Sequence, residues 1–351
     1  MSSSTSPARL LPRLVIAVVL AAGSAIPAHA QIAWTNYTTG SGLGDDIVYG
    51  VYAAGSTIYG ATFGGGLSVS TNSGANWTTY TTGSGLGDDF VYGVYAAGTT
   101  IYAATDNGLS VSTNSGANWS TYITGTGRDR AVYGVYAAGS TIYAATNGGG
   151  LRVSNDNGTN WLAYTTGSGL GSNGLYGVYA AGSAIYVATL GGLSVSNDSG
   201  ANWSTYTSGS GLGADVVYGV YANASAIYAA TGGGLSVSTD SGAIWTTYTS
   251  GSGLGADVVN SVYAFGSTIY AATDGGLSIS TDSGTNWTNY TSADGLGSDS
   301  VWGVYGDAGA IYAATNGGLS IAAVPEPSTY CMALAGIACG GYSMFRRRTR
   351  T

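Results

Sequence analysis

Seven tryptophans, Trp34, Trp77, Trp119, Trp161, Trp203, Trp245 and Trp287, recur every 42 or 43 residues. Self-similarity at such a period marks a repeat architecture, in which each unit buries its apolar faces against its neighbours. One unit, starting at Trp203, holds β-type runs at 217–221, 226–230 and 235–238, and a fourth at 245–248. Turn residues separate them. Four short strands in 42 residues is the size of a propeller blade. Composition agrees, because 60 Gly, no Lys and a single Glu disfavour long helices. The 44% of hydrophobic residues is too many for a disordered chain.

The ends of the repeat suggest closure. The last unit stops on a third strand, 319–322, and the first begins with an unattached fourth strand, 32–37. Pairing them closes a ring and removes two bare sheet edges. The expectation is an all-β seven-bladed β-propeller with four-stranded blades, the last closed by the N-terminal strand. A β-solenoid with open ends is the alternative.

The flanks read differently. Arg9 and Arg13 precede an apolar run at 14–22, and Ala28-His29-Ala30 has the small-x-small pattern of a cleavage site. Residues 1–30 are expected to be a secretory signal peptide, cut after Ala30. The propeller then occupies 31–323. At 324–351, Pro325-Glu326-Pro327 precedes a mostly apolar stretch, 330–345, and the cluster Arg346-Arg347-Arg348. As a helix that stretch would reach about 24 Å, just short of a bilayer core, and the arginines would hold its end on the cytoplasmic side. Cys331 and Cys339 lie within it, so no disulfide is expected in the exported body.

This tail resembles the PEP-CTERM sorting signal of Gram-negative bacteria. The resemblance implies an exosortase-type processing partner and cleavage near Pro325-Glu326-Pro327. It also implies transient membrane anchoring through the C-terminal helix, then delivery to the cell surface or extracellular matrix.

The body at 31–323 holds sixteen Asp and three Arg, a balance of −13, with no His, Lys, Cys or Glu. Such a body offers no base for Ser or Cys nucleophiles, no His/Cys metal site and no basic surface for nucleic acid. Residues 238–245 read Ser-x-Asp-x-Gly-x-x-Trp, which resembles the Asp-box of sialidase-like and sortilin-like propellers. The pattern recurs around Asp156, Asp198, Asp240 and Asp282, with Asn72 and Asn114 in the acid's place. The resemblance implies a folding element, not a ligand site. Sialidase chemistry would need a Glu and converging arginines that the body lacks. The text at 253–277 also resembles the propeller repeats of two-component sensor ectodomains, although Tyr270 stands where that family often has Trp.

Strand order puts the long loops on one face, with Asp45, Asp46, Asp88, Asp89, Asp129, Asp215, Asp257 and Asp299, joined by Asp106 and Asp274. These carboxylates have the oxygen chemistry for Ca²⁺, and equally that of turn-capping residues on a soluble surface. Arg128, Arg130 and Arg152 fall in one unit, a cationic spot that repeat drift also explains. The 26 body tyrosines fit packing between blades. The expected function is an exported non-catalytic propeller with a structural or recognition role, its partner an extracellular polysaccharide or matrix protein. The alternative is a carbohydrate-binding or Asp-only glycoside-hydrolysing propeller, which for inversion needs two carboxyls about 6.5–9.5 Å apart.

Overall fold

A computed structural model of the chain describes residues 32–122, 127–307 and 309–324. Ala28, Ala30, Pro325, Glu326, Pro327, Arg346, Arg347 and Arg348 lie outside the described residues. Seven four-stranded antiparallel sheets form. In the first complete blade the strands are Val48–Ala54, Thr57–Thr62, Leu67–Ser70 and Thr78–Tyr80, from the axis outward. The innermost strand packs against Val91–Ala97 of blade 2 on one side and Val301–Gly306 of blade 7 on the other. The ring is closed.

Blade 7 joins the two ends of the repeat. Val301–Gly306, Ala310–Thr315 and Gly318–Ala323 supply three strands, and Thr35–Tyr37 adds the fourth. The register sets Thr35 against Ile321, Asn36 against Ser320 and Tyr37 against Leu319.

The two middle strands of each blade are buried on both faces, which is why Leu-Ser-Val-Ser text succeeds there. Leu67, Leu109 and Leu151 are fully enclosed, opposite alanines such as Ala61, Ala104 and Ala145. Their buried hydroxyls are satisfied: Thr62 donates to the Gly66 carbonyl at 2.7 Å, and Ser68 Oγ accepts the Gly44 N–H at 2.9 Å. At the axis a Cβ on Gly50 would stand 3.0 Å from the Tyr92 carbonyl and 3.2 Å from Gly93 Cα. Glycine lets the innermost strands approach backbone to backbone.

Because strands alternate in direction, the long loops and the second-to-third turns share one face. The Ser-x-Asp turns and first-to-second hairpins share the other. The chain leaves the third strand of blade 7 at Val324, on the Ser-x-Asp face. Among the described residues no helix is long and apolar enough to cross a membrane.

Candidate functional site

On the long-loop face six of the loops open with a single 3-10 turn, such as Thr39–Ser41, ended by a left-handed glycine, here Gly42 (φ 106°). Leu43 then plugs the blade. The acid seven residues past the turn's first residue staples the loop. Asp46 accepts the Thr39 N–H and Asp89 the Thr82 N–H, both at 2.6 Å. Asp215, Asp257 and Asp299 take the Ser208, Ser250 and Ser292 N–H groups at 2.7 Å. In the one loop without an acid, Asn173 does the same for Thr166 at 2.8 Å. The Ser208 hydroxyl and N–H hold the Asp215 carboxyl below the ordinary range, and the N–H groups of Ser250 and Ser292 lower Asp257 and Asp299.

Asp45 and Asp88 instead accept the N–H two residues on, from Ile47 at 2.8 Å and Phe90 at 2.9 Å. Among the described residues no three His, Cys, Asp or Glu side chains group as metal ligands. The run Arg128-Asp129-Arg130 forms its own 3-10 turn, Gly127–Arg130. Arg152 comes from the third strand of the same blade, in the position that Ser68 holds in blade 1, and its guanidinium lies beside Gly149.

On the opposite face the Ser-x-Asp turns are built alike. Ser154 donates to Asp156 at 2.8 Å while accepting the Gly158 N–H, and Asp156 accepts the Asn160 N–H at 2.8 Å. Asn72 and Asn114 make the same bonds through their single oxygen. Asp156, Asp198 and Asp282 use the second oxygen for an Asn side-chain amide as well, each at 2.7 Å. Asp240 has no such amide to accept, because Ile244 replaces the Asn. The Asn160 and Ile244 N–H groups lower Asp156 and Asp240, and the Asn202 and Asn286 amides lead at Asp198 and Asp282.

Two features of these turns escape the sequence. The residue before the glycine also has positive φ, 55–62° at Ser73, Ser115, Asn157, Ser199, Ser241 and Ser283, as a type I′ turn requires. The tyrosine of the preceding blade lies over the turn. Tyr80 donates to the Ser115 carbonyl at 3.1 Å and meets Trp119 edge-on at 5.5 Å. The signal was present, in the fixed spacing from each Tyr to the next turn.

Along the axis the innermost strands carry two aromatic tiers. The tier nearer the Ser-x-Asp face is an unbroken circle, from Tyr52 through Tyr95, Tyr136, Tyr179, Tyr221 and Tyr263 to Tyr305 and back. Neighbouring ring centroids lie 4.9–5.1 Å apart. Burial, then the adjacent phenols, pushes Tyr52 and Tyr179 up to about 12.

The upper tier opens on the long-loop face above a cavity of about 240 Å³. Tyr49, Tyr92, Tyr133, Tyr176 and Tyr218 are followed by Asn260 and Trp302, which break the pattern. Several lean on the residue fourteen positions later, in the second-to-third turn of the same blade. Tyr92 donates to Asp106 at 3.1 Å, Asn260 to Asp274 at 2.8 Å and Trp302 to Asn316 at 2.7 Å. Tyr49 instead meets Phe63 at 5.5 Å, and Phe63 meets Phe90 of blade 2 at 4.8 Å.

The PEP-CTERM protein-sorting motif matches residues 323–348. The C-terminus therefore carries a PEP-CTERM signal, which indicates export and membrane-anchored sorting and implies an exosortase-type processing enzyme. The body is similar in fold to the extracellular domain of a hybrid two-component system from B. thetaiotaomicron, at 17% identity and TM-score 0.68, covering 83% of this chain and 42% of that one. It is also similar to YCF48 from Cyanidioschyzon merolae (14% identity, TM-score 0.61, covering 84% and 99%). A GH74 enzyme from Niastella koreensis follows at 23% identity and TM-score 0.59, covering 80% and 43%. The chain spans about two fifths of the length of the sensor domain it resembles. No curated protein matches it significantly.

Proposed function

We propose that the chain is an exported, non-catalytic propeller with a recognition or structural role at the cell surface or in the extracellular matrix. Its sorting tail leaves from the Ser-x-Asp face, so its long-loop face points away from the membrane while it is anchored. The observation that carries the non-catalytic reading is the stapling of the loop carboxylates. The acids at 46, 89, 215, 257 and 299 each hold an N–H of their own loop, in a body without His, Glu, Lys or Cys. A second reading, carbohydrate binding or Asp-only hydrolysis, is favoured by the exposed aromatic rim and by the GH74 likeness.

The test pairs cell fractionation with a reducing-sugar assay. The intact protein is expected at the surface and inactive on polysaccharides, and removal of Pro325-Glu326-Pro327 should trap it in the membrane. Retention inside the cell would overturn the sorting, and sugar release would overturn the non-catalytic reading.

A further inference from the structure

In a body whose units nearly copy one another, residues that the fold does not require stand out where the copies differ. One such set lies at the axial mouth of the long-loop face. Trp302, Tyr49, Phe63 and Phe90 form a continuous aromatic arc over blades 7, 1 and 2, with successive centroids 5.5, 5.5 and 4.8 Å apart. Phe63 and Phe90 are 39% and 38% exposed; the Phe63 position holds Asp, Asn, Gly or Leu in the other blades, and the Phe90 position holds only smaller or aliphatic residues. Two carboxylates bracket the arc, Asp274 from blade 6 and Asp106 from blade 2. Each is oriented by a rim residue, Asn260 at 2.8 Å and Tyr92 at 3.1 Å. Burial, and then the Asp106 charge, raises the Tyr92 phenol.

Aromatic faces stack on the apolar side of a sugar ring and attract cations. A strongly acidic surface draws positive ligands and repels anionic ones. A stacking surface flanked on both sides by carboxylates fits a ligand whose sugar rings carry positive charges at intervals. Resting on the recognition reading above, we propose that this mouth binds an oligosaccharide of protonated amino sugars. The rings would lie on Trp302 and Tyr49, and the ammonium groups would pair with Asp106 and Asp274.

The probe is the glucosamine tetrasaccharide, titrated onto the exported protein by calorimetry, beside its fully N-acetylated form. Binding is expected for the amine only and should weaken with salt. Asp106→Asn with Asp274→Asn borrows the residue that Asn147 and Asn316 supply in other blades, so folding is preserved. It should weaken binding on the order of tenfold through loss of charge-assisted pairing. Trp302→Tyr, the residue of five other blades, should weaken binding of the same probe. Equal binding of the acetylated sugar, an unaffected double variant or no binding of either sugar would overturn the proposal. Fractionation reads the sorting separately, so surface delivery without amino-sugar binding would sink this proposal alone.

Discussion

Ser320 donates its hydroxyl to the Asn36 side-chain oxygen at 2.7 Å, across 284 positions of sequence. Asn36 in turn donates to the Gly295 carbonyl at 2.9 Å, and Trp34 meets Tyr290 edge-on at 6.0 Å. The same contacts recur inside and between other blades. Ser68 bonds Thr79 at 3.1 Å, and Tyr37 meets Trp77 at 5.6 Å. The join is built like the continuous blades.

Asn36→Ala removes both bonds and should cost about 1–2 kcal/mol, read as a lower midpoint in denaturant. Asn36→Thr should recover most of it, since Thr205 bonds Ser194 at 2.9 Å from the equivalent position. An equal loss in both variants would point to something other than this latch.

Gly116→Ala places a Cβ 2.3 Å from the Tyr80 ring at a backbone φ of +91°. Positive φ at a non-glycine residue costs about 1–3 kcal/mol, and the clash adds to it. Tyr80→Ala should relieve only the clash, so the double variant should lose less than the two single losses added together. Strict additivity, measured by thermal melting, would show that Tyr80 does not press on this turn.

Stability should fall at both pH extremes. The turn and loop carboxyls at Asp156, Asp198, Asp257 and Asp299 are lowered by their bonds. Their stabilisation is present above the unfolded value near 3.9 and is lost as pH falls through the folded values. The tyrosine circle has the opposite sense. Tyr52 and Tyr179 are raised to about 12, so above about pH 10 the unfolded chain releases protons that the folded ring still holds. Melting temperature should be flat through neutrality, fall in acid and fall again above that alkaline point. Full tyrosinate absorbance before unfolding in alkali would contradict the buried circle.

The loop aspartates are expected to act as staples without a metal. Chelator should leave the melting temperature unchanged, Asp257→Asn should be nearly neutral because Asn173 already fills this role, and Asp257→Ala should cost about 1 kcal/mol. A chelator-dependent drop in melting temperature would instead favour calcium.

The period, the blade size, the ring closure and the position of the tail exit were all legible in the sequence, because each follows from spacing and strand order. The staples were half legible. Asp46 could be placed on the face, but its bond to Thr39 depends on how the 3-10 turn folds the loop back. The aromatic tiers were not legible. A register shift between Val48 and Gly50 breaks the two-residue alternation that would have said where Tyr49 and Tyr52 point. The Phe63–Phe90 contact joins residues of different blades, and no local pattern announces it.

Closure is tested most directly by hydrogen exchange at the amides of the strand Thr35–Tyr37, which pairs with Ile321 to Leu319. The expected result is protection matching that of Thr78–Tyr80, the equivalent strand of blade 1, lost only when the whole ring unfolds. Exchange at the rate of an unpaired segment, with the other blades still protected, would mean that the wheel is open.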